Sequence, residues 1–479
     1  MSAYEAVIGI ETHLELLTES KVFCGCSTRF GAEPNSQTCP VCLGLPGTLP
    51  VLNKKALDYG IKVALALHGS ITPRIKFDRK NYFYPDLPKN YQISQYDLPL
   101  CSGGFVMIES ALGRKKIGIR RVHLEEDTGK LIHLEEEAVS LLDYNRSGVP
   151  LLEIVSEPEL GSPEEAHAYA TVLKSILEYL EVSDCNMEEG SLRCDTNVSV
   201  RKKGSQGLGV KIEIKNLNSF RAVKLSLQYE IARQIEALEK GEKLTQETRL
   251  WDAAKGITLL MRSKEYAHDY RYFPEPDLVP FVLSEKEIEE IRKGIPELPE
   301  ERIERFKRDY SLSPYDAGVL TSEKALSTYY ESCVRLLSKP KLIANWIMGP
   351  VLEQLRNPQE IEHFSISPER LVSLLTALER GEITQLAAKQ VLGIMVQTGE
   401  SAQTIIQREH LSQIQDVGAL DRLIEEAIGE NPKTVSDYHR GKESAMMYLI
   451  GQVMKKTKGS ANPEKVNQRL KEKLEETRK

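Results

Sequence analysis

The first 294 residues contain several short segments in which apolar and polar side chains alternate, the pattern of β-strands with one buried face. These segments are residues 6–16, 116–125, 151–155, 192–201 and 210–215. Residues 162–180 and 220–240 have helical periodicity instead, and Ser162 followed by Pro163 is a typical helix start. Because strands and helices follow one another in irregular order, we predict an α+β fold with a mainly antiparallel sheet.

Beyond residue 294 the pattern becomes almost wholly helical. One predicted helix, for example, begins at Ser367 and Pro368 and ends at Gly381. We therefore predict three domains: an α+β domain over residues 1–294, an all-α helical domain over residues 295–408, and a small helical tail domain over residues 409–479.

The composition is that of a globular protein, with 41% hydrophobic and 28% charged residues and a net charge of -7. No apolar run approaches the ~18 residues of a membrane span, and the N-terminus has no basic leader, so we expect a cytoplasmic protein. Residues 451–479 hold nine lysines and arginines against four glutamates. This basic end could approach nucleic acid, although composition alone favours a solvated terminal helix.

Four of the eight cysteines lie in one short window, as two close pairs: Cys24 with Cys26, and Cys39 with Cys42. This spacing is typical of a tetrahedral four-thiolate zinc site, and disulfides are disfavoured in a cytoplasmic protein. We predict a structural Zn²⁺ here, since four protein ligands leave no position for substrate. Unmetallated thiols are the alternative.

Several predicted strands carry charged side chains on one face. Any one of them could be merely the solvated side of an antiparallel strand. Together, however, they offer carboxylates and histidine beside lysine and arginine, the mixture that suits a Mg²⁺ and phosphate cleft. The residues concerned are Glu11, His13 and Glu15; His123 and Glu125; Glu153; Arg193, Asp195 and Asn197; and Lys211, Glu213 and Lys215.

Two stretches mix basic and aromatic residues. In the first, Arg79 and Lys80 precede Tyr82, Phe83 and Tyr84, and the second covers residues 261–274. Such stretches can contact phosphate and stack on a base, although they often merely pack. Neither a P-loop nor a dinucleotide-binding glycine motif is present in the sequence, so any ATP site is of another kind.

The motifs as a set resemble those of the B-subunit of the aspartyl/glutamyl-tRNA(Asn/Gln) amidotransferase. The strongest is LDYNRSGVPLLE at residues 142–153. The resemblance extends over essentially the whole chain and includes GIETH, DRKNYFYPD, HLEEDTGK, NMEEGSLRCDTN, EIKNLNSF, YRYFPEPD and the C-terminal GKESAMMYLIGQVMKKTKGSANP.

The resemblance implies an enzyme that converts Glu-tRNA(Gln) or Asp-tRNA(Asn) to the amidated form. It further implies that this subunit phosphorylates the side-chain carboxylate with ATP and Mg²⁺, that ammonia comes from a glutaminase A-subunit, and that a C-subunit joins the two in a heterotrimer. Residues 1–294 would be a kinase-like cradle related to glutamine synthetase, and the tail domain would bind tRNA.

The resemblance also implies site residues. The family's metal positions fall on Glu11, His13, Glu125 and Glu213, with Asp195 a further candidate. The first three are expected to be catalytic. Phosphate contacts are expected at Arg79, Lys80, Arg146 and Arg193.

Some alternatives stay open at this point. Glu126 follows Glu125, and because neighbours on a strand face opposite ways, only one of the two can point at the metal. A non-catalytic, zinc-containing RNA-binding scaffold is the alternative function, with the strand carboxylates as solvated faces. A metallohydrolase that needs neither ATP nor a partner is a second alternative.

Overall fold

The chain was analysed as a computed structural model, which describes residues 3–134, 139–263, 270–413, 417–442, 444–457 and 461–476. Two compact units divide it, Met1–Leu298 and Pro299–Lys479. The first unit is mixed α and β, and the second is helical in its described residues. This confirms the predicted α+β fold class.

Strands occur in the first unit, and many of them are short. In chain order they are β1 (Tyr4–Glu15), β2 (Ser70–Ile71), β3 (Arg74–Ile75), β4 (Asp78–Asn81), β5 (Tyr91–Ser94), β6 (Cys101–Ser102), β7 (Phe105–Ser110), β8 (Gly113–Glu126), β9 (Lys130–Leu134), β10 (Val139–Asp143), β11 (Pro150–Ser156), β12 (Leu192–Lys202), β13 (Ile212–Leu217), β14 (Glu247–Asp252), β15 (Ile257–Ser263), β16 (Arg271–Pro274) and β17 (Phe281–Val282).

The large sheet has the strand order β15-β14-β13-β12-β1-β11-β8-β6-β2, and β7 also pairs with β8. Its central strands β12, β1, β11 and β8 pair antiparallel, whereas β13 and β14 are parallel. The predicted antiparallel sheet is therefore confirmed, with one parallel pair that the sequence pattern did not indicate. Small sheets β16-β4-β5, β9-β10 and β3-β17 accompany it.

One face of the large sheet is apolar and packs against helices. Ile8, Ile10 and Leu14 of β1 share a buried core with Ile154 of β11. The helices of this unit are α1 (Lys54–Ala66), α2 (Pro163–Tyr179), α3 (Phe220–Glu239) and α4 (Glu285–Lys293). Since side chains alternate along a strand, burial of one set places the polar set of β1 on the opposite face.

The start of α2 forms as its sequence predicts. The Ser162 hydroxyl accepts a hydrogen bond from the Glu165 backbone N–H, and Pro163 occupies the first turn, where its missing N–H costs nothing. Tyr169 and Leu173 then point into the core below the sheet.

The second unit has two hydrophobic cores. Leu371, Leu374 and Leu375 belong to one, and Leu449 and Val453 belong to the other. Its helices are α5 (Pro299–Tyr310), α6 (Pro314–Leu320), α7 (Lys324–Leu336), α8 (Pro340–Trp346), α9 (Pro368–Glu379), α10 (Gln385–Thr398), α11 (Ala402–Arg408), α12 (Val417–Glu430), α13 (Pro432–His439), α14 (Ser444–Lys456) and α15 (Pro463–Glu476), with a π-helical turn Ile347–Val351 and 3₁₀ turns Leu352–Gln354 and Pro358–His363.

The helix start at Ser367 and Pro368 and the stop at Gly381, which has φ +67°, agree with prediction. The three-domain division stays a prediction. No helix among the described residues has both the length and the apolar character needed to cross a bilayer.

Candidate active site

The polar face of the large sheet gathers charged side chains from four neighbouring strands. His13 of β1 lies directly opposite Arg193 of β12 on one side and Glu153 of β11 on the other. Glu153 in turn lies opposite His123 of β8. Residues directly opposite in an antiparallel pair point to the same face, so strand register alone aligns these four side chains in a row.

Three side chains in this region can bind one ion. One ligand atom each from His13, Glu125 and Glu153 lies within 4.8 Å of the other two. His123 Nε2 lies 3.3 Å from Glu125 Oε2 and 3.2 Å from Glu153 Oε2. His13 Nε2 lies 3.6 Å from Glu153 Oε2, and the Ser94 hydroxyl donates to Glu125 Oε2 at 2.8 Å.

The two carboxylates stay ionised although they are buried. Burial raises the pKa of Glu125 and of Glu153, but hydrogen bonds and charge attraction from His123 outweigh it, so both pKa values lie below the usual range. Burial likewise lowers the pKa of His123, and the two carboxylates more than offset it, raising the pKa to about 9. Buried anions that lie this close together suit a bound cation.

Glu125 and Glu126 face opposite sides, as strand alternation requires. Lys89 Nζ lies 2.5 Å from one Glu126 oxygen, and the Ile93 backbone N–H donates to the other at 2.8 Å. Both oxygens of Glu126 are therefore engaged away from His13. The geometry supports Glu125, rather than Glu126, as a ligand.

The predicted phosphate contacts differ in where they point. Lys80 lies close enough to Glu125 and Glu153 to feel their charge, and the rings of Tyr82 and Tyr270 lie beside its amine. Arg79, the preceding residue on β4, forms a two-point ion pair with Glu275 at 2.6 and 2.8 Å instead.

Arg146 and Arg193 converge on a different acid. Arg193 Nη2 lies 2.6 Å from Asp127 Oδ2, and Arg146 Nε lies 3.6 Å from the same oxygen. Arg146 also donates to the backbone oxygens of Thr128 and Gly129. These two cations are thus held next to the cluster without touching Glu125 or Glu153.

Comparison with known proteins decides the family. A family model described as the GatB/GatE catalytic domain matches residues 6–289, and one described as a GatB domain matches residues 328–474. The aspartyl/glutamyl-tRNA(Asn/Gln) amidotransferase B-subunit of Caldanaerobacter subterraneus subsp. tengcongensis is 57% identical over 472 residues, which are 98% of this chain and 99% of that relative. The chain belongs to the amidotransferase B-subunit family.

Other relatives agree. The proteins of the same name from Carboxydothermus hydrogenoformans and Moorella thermoacetica are 55% and 54% identical, over 99% and 98% of this chain and 99% and 100% of each relative. The resemblance inferred from the sequence motifs is thereby confirmed, and so is the prediction that the chain is a ligase, as the B-subunit of an amidotransferase.

Three carboxylates that the family resemblance implies as ligands lie on the same face but outside the three-ligand cluster. Glu11 Oε1 accepts a hydrogen bond from Asn197 at 2.8 Å. Lys215 forms ion pairs with both Asp195 and Glu213, the second at 3.2 Å. Their roles as ligands stay a prediction. In the structure a lysine, and not a cluster of acids, neutralises Asp195 and Glu213.

The sequence analysis placed Glu153 and His123 on polar strand faces but did not select them as site residues. It missed Arg121, whose Nη2 lies 3.7 Å from Glu153 Oε1, and Ser94. Alternation from His123 to Arg121 could have indicated the arginine. The role of Glu153 depends on its register with β1, about 140 residues away in sequence, which alternation does not reveal.

The four cysteines come together as predicted. The sulfurs of Cys24, Cys26, Cys39 and Cys42 lie within 4.8 Å of one another. The Cys39 backbone N–H donates to Cys42 Sγ at 3.1 Å, as in turns that stabilise metal-bound thiolates. The cluster could therefore hold a metal ion with four soft ligands.

Proposed function

We propose that this chain is the subunit of a tRNA-dependent amidotransferase that activates the side-chain carboxylate of Glu-tRNA(Gln), Asp-tRNA(Asn) or both by ATP-dependent phosphorylation. The observation that carries the proposal is the cluster of His13, Glu125 and Glu153 on the polar face of the sheet. Family membership supplies the reaction, and the cluster supplies a place for it. Activation is needed because a carboxylate has no good leaving group until one oxygen bears a phosphoryl group.

The proposed reaction has two steps. A carboxylate oxygen of the aminoacyl group attacks the γ-phosphorus of ATP, the bond to the bridging oxygen breaks, and ADP leaves. The nitrogen of ammonia then attacks the carbonyl carbon, the bond from carbon to the phosphoryl oxygen breaks, and inorganic phosphate leaves as the nitrogen loses a proton. The products are the amidated aminoacyl-tRNA, ADP and phosphate.

The donor set of the cluster fits a small divalent cation. Two carboxylates are the hard oxygen ligands that Mg²⁺ prefers, and the one imidazole is also compatible with Mn²⁺. When bound, Mg²⁺ would offset the repulsion between the carboxylate and the phosphates of ATP. His123 holds Glu125 and Glu153 in place, since its Nε2 lies within 3.3 Å of both.

The nearby cations suit the phosphates. Lys80 lies beside the two carboxylates and between aromatic rings, so its amine can meet an incoming phosphate without a large rearrangement. Arg121 lies beside Glu153. Arg79 already has two carboxylate contacts, at Glu275, which favours a structural role for its guanidinium.

We propose that the enzyme is a heterotrimer in which a glutaminase A-subunit supplies ammonia and a C-subunit joins the other two. Relatives named as the B-subunit of such an enzyme support this arrangement. The test is transamidation by the assembled complex with each misacylated tRNA, omitting ATP, Mg²⁺ and tRNA in turn. We expect ADP only when ATP, Mg²⁺ and a misacylated tRNA are all present. ADP formation without tRNA, or product without ATP, would contradict the proposal.

We also propose that the tail domain binds tRNA. Some of its cations are already paired: Lys456 contacts Glu426 and Glu430, and Lys473 contacts Glu425. Lys455, Lys465 and Lys471 are exposed and are better placed for phosphate contacts.

Replacing those three lysines with glutamine should weaken tRNA affinity about tenfold or more and flatten its salt dependence, because each phosphate contact releases counterions. The measurement is tRNA binding at several salt concentrations. Lys433→Gln, on α13 of the same tail, is the single-site control for a lost charge. Unchanged affinity in the triple variant would remove the support for this surface.

For the cysteine cluster we propose a structural Zn²⁺. The four sulfur donors and the N–H bond to Cys42 Sγ match the ligands of a closed zinc site. The substrate cannot reach a metal whose four positions are filled by protein, so this centre would stabilise the local fold rather than take part in the reaction.

A further inference from the structure

Lys21 is a fully buried lysine next to the cysteine cluster. Its side chain has 0% of its surface exposed, which is rare for lysine. Its Nζ donates to Cys42 Sγ at 3.7 Å and to the Tyr144 backbone oxygen at 3.2 Å. In the part of the chain that the structure describes, no carboxylate oxygen lies within 4.0 Å of this amine.

A buried ammonium group needs a negative partner, because the low dielectric interior makes an uncompensated charge expensive. A neutral backbone oxygen supplies only part of this. Four thiolates with one divalent ion carry a formal charge of about minus two, whereas four protonated thiols carry none. The place of Lys21 therefore fits a metal-loaded cluster better than a set of free thiols.

We propose that Lys21 is a positioning residue of the metal centre, which donates to the metal-bound Cys42 thiolate, compensates part of the centre's charge, and ties the centre to the turn at residues 144–149. Hydrogen-bonding groups around metal ligands set ligand orientation and metal retention in this way. The inference concerns the cysteine cluster and does not depend on the proposed reaction.

The tie to the turn has a second line of support. The Val22 backbone N–H, next to Lys21, donates to the Gly148 oxygen at 2.9 Å. Gly148 has φ +88°, and a Cβ there would lie 3.4 Å from Lys21 Cδ and 3.6 Å from Cys42 Cβ. The turn carries Arg146 and leads directly into β11, on which Glu153 lies. Metal loading would thus stabilise the segment that precedes a ligand of the other cluster.

The first test is zinc retention in the full-length chain. Lys21→Met keeps the length of the side chain and removes its charge, and we expect zinc transfer to a chromogenic chelator to become about tenfold faster or more. Lys62→Met is the matched control, since Lys62 Nζ also donates to a backbone oxygen, that of Leu180, at 2.7 Å. Equal release rates from Lys21→Met and the unaltered chain would overturn the proposal, as would an unaltered, folded chain without zinc.

The second test needs no variant, which matters if Lys21→Met does not fold. Hydrogen exchange is followed in the unaltered chain before and after the chelator removes zinc. We expect faster exchange at residues 144–149 and unchanged exchange in α3, which is the internal control. If exchange at 144–149 stays the same, or if α3 changes as much, the proposed link between Lys21, the metal and this turn is wrong.

Discussion

Glu153→Gln should abolish transamidation in the assembled complex, with a loss on the order of 10³-fold. The change keeps the size of the side chain but removes one of the two anionic ligands of the cluster. Because His123 contacts both Glu153 and Glu125, the variant also disturbs the group that holds the second ligand. The measurement is formation of ADP and of amidated aminoacyl-tRNA, together with the Mg²⁺ concentration that gives half of the maximal rate.

The matched control is Glu157→Gln. Glu157 directly follows the strand that carries Glu153, and its carboxylate lies 2.8 Å from Arg120 Nη2 at a partly exposed position. We expect normal transamidation from this control, and normal glutaminase activity and tRNA affinity from both variants. A Glu153→Gln complex that transamidates at the normal rate would refute the assignment of the cluster.

Glu125→Gln belongs to the same experiment, because it separates two adjacent residues. It should behave as Glu153→Gln does, whereas Glu126→Gln should retain the metal dependence of the unaltered enzyme. Glu126 contacts Lys89 and the Ile93 backbone on the opposite side of β8. Any loss in the Glu126 variant should therefore come with lower stability rather than with a changed requirement for Mg²⁺.

Much of the fold could be predicted because its signal is local. Alternation along β1 separates Ile8 and Ile10 from Glu11 and His13 whatever the partner strands are. The helix start at Ser162 likewise depends on a few neighbouring residues. These features survive folding because the tertiary structure buries the face that the sequence already made apolar.

The composition of the site was harder to predict, because it depends on register and on contacts between distant segments. Alternation shows that Glu153 is polar and faces its own side of β11, but only pairing with β1 places it beside His13. Arg79 and Lys80 look equivalent in sequence. On a strand they face opposite sides, and one meets Glu275 while the other lies beside Glu125.

Lys21 shows the same limit at a buried position. In sequence it is an ordinary lysine ahead of an apolar pair and a cysteine, and nothing local indicates that it is buried. Its environment is made by Cys42 and Tyr144, which lie 21 and 123 residues further along the chain. Long-range contacts of this kind are where a single sequence carries the least information.

Glu230→Ala should strongly destabilise the first unit, by about 3–5 kcal/mol. Glu230 of α3 is fully buried, and its carboxylate accepts hydrogen bonds from Arg233 at 2.7 and 3.0 Å and from the Thr258 hydroxyl at 2.8 Å. Arg249 Nε lies 3.5 Å away. Removing the carboxylate leaves two guanidinium groups facing each other without their shared anion, where α3 meets β14 and β15.

The two tryptophans make this prediction measurable. Trp251 is buried in β14 of the first unit, and Trp346 is buried in α8 of the second. In a Trp346→Phe background, urea unfolding followed by tryptophan fluorescence reports the sheet alone. We expect the midpoint for Glu230→Ala to fall well below that of the background chain. Glu236→Ala, which removes an exposed ion pair with Lys240 on the same helix, should leave the midpoint unchanged. If the two variants unfold at the same urea concentration, the buried carboxylate does not hold α3 to the edge of the sheet.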